Sequence, residues 1–306
     1  MGVQAQHHSL SSLYMYNKYD RISAYAGLEG SLHVTGNYRS QWRGLESSPI
    51  SQRLNAHLPL YFLKGAGGVK VENHSQGPQS LFNFQASYNY VQPLTWGIVS
   101  GGISLGAFQY RLNGDQLRTP DGIYTDFVTN HNDNQLSELF TSGVGASYGL
   151  SVYLITQYFE TGLEVRQLPA FGISLSEGEF KYSTLINFYA EGNFVILNQY
   201  KIKPSLLIQS DLVNTQSDFN IVAEYSGNIF GGIGFRGYSP NSIDSVIPIL
   251  GWRFNEHYNL AYAFDLGVSA LRTVHEGTHE IQLVYNLNKR IGAGLPPKVI
   301  YNPRYM

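Results

Sequence analysis

From about residue 30 to residue 288 apolar and polar side chains alternate with a period of two, the mark of extended strands with one wet face. In 82–90, Phe82, Phe84, Ala86, Tyr88 and Tyr90 share one face, and Asn83, Gln85, Ser87 and Asn89 the other. In 31–42, Leu32, Val34, Tyr38 and Trp42 alternate with His33, Thr35, Asn37, Arg39 and Gln41. Leu54, Ala56, Leu58 and Leu60 likewise oppose Ser51, Arg53, Asn55 and His57, and Ile281, Leu283, Tyr285 and Leu287 oppose Glu280, Gln282 and Asn286. The pattern predicts strands at 30–43, 50–62, 66–74, 80–92, 95–111, 142–155, 157–166, 180–195, 200–213, 217–226, 228–238, 243–254, 257–266 and 277–288. That is about 14, an even number, as in bacterial single-chain barrels. Gly77-Pro78, Gln92-Pro93, Ser226-Gly227-Asn228 and Ser239-Pro240-Asn241 mark turns, and 112–140 reads as a long surface loop.

A two-sheet soluble sandwich also alternates. Long strands, aromatic residues near the ends of the apolar faces, and polar faces rich in Asn, Gln and Ser favour an all-β fold of another kind. They predict a transmembrane antiparallel β-barrel of the bacterial outer membrane. Residues 29–290 would form the barrel. Residues 1–28 are not strand-like, and the aromatic stretch Leu13 to Gly27 is a candidate lumen plug. Residues 291–306, with Pro296-Pro297 and Pro303, form a tail that cannot be a central strand.

Composition sharpens this reading. Charged residues are 14% of the 306, against roughly 25% in soluble proteins. Gly (32), Tyr (23) and Phe (16) are abundant. A mean hydropathy of −0.18 fits a chain that turns only every second residue to lipid. No apolar run reaches the ~20 residues of a membrane helix. A net charge of −2 gives no reason to expect nucleic acid, and the absence of cysteine rules out disulfides and thiolate metal sites. Val3-Gln4-Ala5 fits the tail of a signal peptide cleaved before Gln6; an ordinary disordered N-terminus fits as well.

Two enzyme-like motifs fail their context. His275-Glu276-Gly277-Thr278-His279 matches H-E-x-x-H, but that zinc chemistry needs a helix. In a strand, positions four apart lie about 13 Å from each other. Gly232-Ile233-Gly234-Phe235-Arg236-Gly237 matches G-x-G-x-x-G, yet Pro240 and another strand follow where a helix is required. Asn73-His74-Ser75 is too short a sequon to carry weight. No catalytic constellation remains, and no cofactor is called for.

Several segments together resemble the PorP/SprF family of the Bacteroidota type IX secretion system. They are Tyr14-Met15-Tyr16-Asn17 with Ala24-Tyr25-Ala26-Gly27, then Tyr38-Arg39, Gln41-Trp42, Gly44, Pro49, Gln52, Ala56-His57 and Pro59. Tyr262-Ala263-Phe264-Asp265 and Gly277-Thr278-His279-Glu280-Ile281 complete the set. Lys18, Ile22 and Ser23 stand where the family's opening motif usually carries two prolines and a second Asn. The resemblance implies a non-enzymatic outer-membrane protein of the secretion and gliding apparatus. Its partners would be a large secreted surface protein such as an adhesin, periplasmic parts of the machine, and membrane lipid. A diffusion channel or small-hydrophobe transporter of similar size, and a soluble all-β binding protein, stand as alternatives.

Parity makes a prediction independent of the resemblance. Arg39, Asp265 and Glu280 fall on polar faces of the first and last two strands. Closing the barrel would set Arg39 in the lumen near Glu280 and Asp265, either as an ion pair fixing the register of the seam or as ordinary lumen charges. Tyr38 and Trp42 read as girdle residues, and Gln41, His57, Pro59 and His279 as motif positions with structural roles.

Overall fold

The computed structural model describes residues 9–125, 129–132, 140–175, 179–196, 199–237, 243–268, 273, 276–289 and 291. Its strands are β1 (His33–Ser40), β2 (Ile50–Leu60), β3 (Gly65–Gln76), β4 (Gln79–Leu94), β5 (Gly97–Asn113), β6 (Ile123–Tyr124), β7 (Thr129–Asn130), β8 (Phe140–Thr156), β9 (Phe159–Arg166) and β10 (Phe171–Ser174). There follow β11 (Glu179–Tyr182), β12 (Leu185–Gly192), β13 (Phe194–Ile196), β14 (Tyr200–Ser210), β15 (Thr215–Tyr225), β16 (Ile229–Gly237), β17 (Ser245–Arg253), β18 (Tyr258–Gly267) and β19 (Thr278–Asn286). β1–β5, β8, β9, β12 and β14–β19 form one closed antiparallel barrel of 14 strands. β1 pairs with β19, with Arg39 opposite Glu280. β13 prolongs β12 in the same register on β14, past an interruption at Asn193.

One expected strand needs correction, and two others end three residues early, within the two to four residues to which sequence bounds a strand. The stretch 180–195 is not one strand. β11 pairs with β10 in a separate hairpin, and the barrel strand begins at Leu185, after Thr184 donates its hydroxyl to the Gln167 carbonyl. The first strand stops at Ser40, short of residue 43, because Trp42 takes a left-handed conformation (φ 52°). The strand expected to run to 213 ends at Ser210, and Leu212 turns with φ 71°. The tail 291–306, apart from Ile291, the Val3–Ala5 segment, and the Ser239–Asn241 turn lie outside the described residues.

Residues 61–64, 95–96, 157–158, 226–228 and 254–257 make short turns at one end; the ends of β1, β5, β9 and β18, whose connections to the next barrel strand are the longer ones in sequence, lie at the other. Barrels of this kind keep short turns on the periplasmic side and long loops outside. Phe62, Tyr90, Trp96, Tyr158, Tyr225, Trp252 and Tyr258 are exposed near the short-turn end, as a girdle requires. Leu54, Ile103, Leu150 and Leu250 are exposed on the outer wall, while Thr35, Asn37, Arg39, Asn55, His57 and Gln85 are buried inside.

Outward Leu150 sits well inside the apolar band. Leu150→Arg is expected to lower stability by about 2–4 kcal/mol, and Ser142→Arg, eight positions nearer the loops on the same face, by under about 1 kcal/mol. Urea unfolding of the barrel in lipid vesicles measures both.

Candidate functional site: a filled lumen

A barrel of this strand number is wider than its own inward side chains can fill. Here the N-terminal segment fills it. Single helical turns at Tyr14–Tyr16, Lys18–Arg21 and Ser23–Tyr25 carry it through the lumen, from the level of the long loops towards the short turns. Leu13, Tyr19, Ile22, Ala24 and Ala26 have no exposed surface. They pack with lumen-facing Tyr153, Leu207, Val222, Ile247, Ile249 and Ala263 in one apolar cluster. Tyr16 lies on Phe230 (centroids 4.4 Å apart), and the Tyr14 hydroxyl shares its one hydrogen between the Ser205 and Asp218 carbonyls at 3.1 and 3.0 Å.

The charges form stations along this segment. At the closing seam, Arg39 Nη2 lies 2.6 Å from Asp265 Oδ2 and Nη1 lies 2.9 Å from Glu280 Oε2. Arg236 bridges Asp218 (Nε–Oδ1 2.5 Å) and the same Asp265 oxygen (Nη1–Oδ2 2.5 Å). Ser12 sits between them. Its hydroxyl donates to Asp265 Oδ1 at 2.7 Å and accepts from Arg39 at 2.9 Å and Arg236 at 3.0 Å. One donor and two acceptors are all that a hydroxyl has. The Ser12 N–H and the Ser11 hydroxyl each donate to Glu280 at 2.6 Å, and Asn37 Nδ2 adds a bond at 2.7 Å.

Further down, Asp20 lies 3.3 Å from Arg21 Nε and 3.0 Å from Arg53 Nη1. Burial alone would raise the Asp20 carboxyl, but Arg21, Arg53 and Lys70 outweigh it and hold it well below the usual carboxylate range. Burial draws the Arg21 guanidinium down to about 10, against the pull of Asp20. Lys18 pairs with Glu160 and Glu191, the Ser23 N–H with Glu164, and Lys70 Nζ with the Ser23 hydroxyl at 3.1 Å. Asn89 Nδ2 donates to the Ala24 and Ala26 carbonyls, both at 3.0 Å. The segment then turns at Gly27 (φ 66°), where any Cβ would come within 2.3 Å of the Ala66 Cβ and 2.9 Å of the Pro59 nitrogen. A side chain cannot fit there.

Of the sequence-predicted residues, the structure brings Arg39, Asp265 and Glu280 together. His57 lies in the lumen towards the short-turn end, its Nδ1 accepting from the Gly27 N–H at 3.0 Å and its ring stacked on His33. Pro59 borders Gly27. Tyr38 points outward, and Gln41 and Trp42 belong to the loop after β1, where their N–H groups bond the Pro49 carbonyl and the Thr278 hydroxyl. His279 faces out, its Nδ1 2.7 Å from the Tyr262 hydroxyl, on the opposite side of β19 from Glu280. His275 lies outside the described residues; Thr278 and His279 open a strand. Ser12, Asp20, Asp218 and Arg236 were not singled out from sequence. Parity places Asp218 on a wet face, but nothing local says that the N-terminal segment meets it.

Removing the arginine of a buried pair strands its carboxylates. Arg39→Ala is expected to cost about 3–5 kcal/mol, whereas Arg39→Met combined with Asp265→Asn and Glu280→Gln recovers much of the loss. Loss and return of the heat-modifiable folded band on cold gels, with urea unfolding, read this out.

Residues 3–285 match the family described as type IX secretion system membrane protein PorP/SprF. No curated protein matches the chain in sequence. Among solved structures, the Ralstonia pickettii toluene transporter TbuX is similar in fold, at 11% identity and a TM-score of 0.50, over 84% of this chain and 89% of that one. The Acinetobacter baumannii outer membrane protein Omp33 aligns at 9% identity and a TM-score of 0.49, over 84% and 97%.

Proposed function

The chain belongs to the PorP/SprF family of type IX secretion membrane proteins, and on that premise we propose that it is an outer-membrane platform that holds a large secreted surface protein, such as an adhesin, at the cell exterior. The observation that carries this reading is the filled lumen. Residues 9–28 occupy the interior, bonded to β1–β4, β9, β12, β14–β16, β18 and β19 and packed on β8. A channel or small-hydrophobe transporter needs a continuous path. Here the axis is taken by side chains whose charges are mutually neutralised, so partner contacts fall to the long external connections, where surface chemistry varies at little structural cost. Short turns and the lower rim remain for periplasmic parts of the machine.

Purification of the tagged barrel from native membranes in mild detergent should recover one very large secreted protein. Deleting the barrel should release that same protein into the medium. In planar bilayers the purified barrel should show no steady porin-like conductance. A lone barrel with steady conductance and solute uptake would instead establish the transporter alternative.

A further inference from the structure

Barrel strands normally have no free edge. Among the described residues, this barrel has one. β8 has 17 residues and its neighbour β9 has eight. The ladder between them ends where Gly149 meets Arg166. Beyond it Gln167 turns away with φ 54°, its backbone N–H bonding the Tyr148 carbonyl at 3.0 Å. Its side chain takes the next positions, accepting from the Tyr148 N–H and donating to the Ala146 carbonyl, both at 2.9 Å. The chain that would have continued the pairing folds inward as the β10–β11 hairpin. There Phe180 stacks on Tyr110 (3.9 Å) and Tyr182 on Phe108 (4.3 Å), over the lumen face of β5.

In an antiparallel strand, alternate residues turn their N–H and C=O groups to opposite neighbours. Tyr148 addresses the β9 side, so Ala146, Val144, Ser142 and Phe140 do too. Gly145, Gly143 and Thr141 address β5. Among the described residues, the backbone of Val144 and Ser142 and the N–H of Ala146 meet no partner on the β9 side. The side chains of the same residues face outward, with Val144 66% and Phe140 59% exposed. A strand of 17 residues is about 54 Å long, or about 41 Å along the membrane normal at a tilt near 40°. The apolar band is about 25 Å tall. The open edge therefore stands above the membrane on the long-loop side, beside outward-facing Gln109 and Arg111.

A second barrel in the same membrane cannot cover this edge. Two copies facing each other are related by a half turn about the membrane normal, which crosses their β8 strands at roughly 80°, twice the tilt. A ladder needs them aligned. The occupant must approach from outside as extended chain.

We propose that the upper edge of β8, Phe140–Ala146, receives an extended segment of the secreted protein by strand addition. Backbone bonds from Val144 and Ser142 supply the register, and an apolar residue of the incoming strand lies beside Val144 and Phe140. This inference rests on the anchoring reading.

The test uses full-length barrel in the native cell. Val144→Pro removes an edge N–H but leaves the β5 ladder intact, since Val144 does not donate to β5. Val144→Thr keeps the N–H. Because the chain has no cysteine, Ser142→Cys carries a benzophenone label alone, with Leu150→Cys as a control at membrane level. Val144→Pro should fold, as judged by heat-modifiable migration, and retain about tenfold less of the secreted protein, as expected for loss of a hydrogen bond and the close approach around it. Val144→Thr should retain it fully, and label at 142 but not at 150 should crosslink to it. Equal retention by the Pro and Thr variants, or a complex that forms with no adduct at 142, overturns strand addition while anchoring stands. If wild type holds no secreted protein, the anchoring reading falls and this inference with it.

Discussion

The structure depends on one constraint: a 14-strand ring encloses more space than its inward side chains can occupy, and an N-terminal segment of the same chain is folded into it. Once that space is filled, the inward charges that meet the segment are cut off from bulk water and have to be neutralised where they stand. The Ser12 hydroxyl shows how tightly this is met. It uses its single donor and both acceptors to join two guanidiniums to Asp265, while its own N–H meets Glu280. The same logic sets Lys18 among Glu160 and Glu191, and Asp20 between Arg21 and Arg53.

The wall of the barrel was legible in the sequence because lipid on one side and polar contents on the other impose a two-residue period. The seam was partly legible for the same reason: Arg39 and Glu280 share a face, and closure has to bring the first and last strands together. Where the period weakens, the plug is the cause. In Val246-Ile247-Pro248-Ile249-Leu250 both faces of β17 are apolar, because Ile247 and Ile249 meet the plug cluster and not polar lumen. Arg236 was not recognised because its partner Ser12 lies 224 residues away in a segment with no strand pattern, and its pairing with Asp218 rests on the register of two neighbouring strands. The stretch 180–195 misled because alternation records a half-buried strand without saying which sheet it joins. β11 alternates as part of a hairpin that covers β5.

The family assignment and the geometry support each other at different levels. Motif residues contact the plug at both ends, Arg39, Asp265 and Glu280 around Ser12 and His57 and Pro59 around Gly27, which is what residues that hold the barrel on its contents would do. Beyond those contacts, β4, β5 and β8 form a tall wall that rises past its neighbours.

The position of Glu280 has a consequence for how the molecule is made. It lies on the last strand to be synthesised, yet its carboxylate is satisfied by Ser11 and Ser12 at the chain's beginning as well as by Arg39 on the first strand. The ring therefore cannot shut comfortably on an empty interior. A seam that closed without the segment in place would leave that carboxylate without two of its donors. Closure of the ring and placement of residues 9–28 are thus coupled, because the seam is fully satisfied only with both in place.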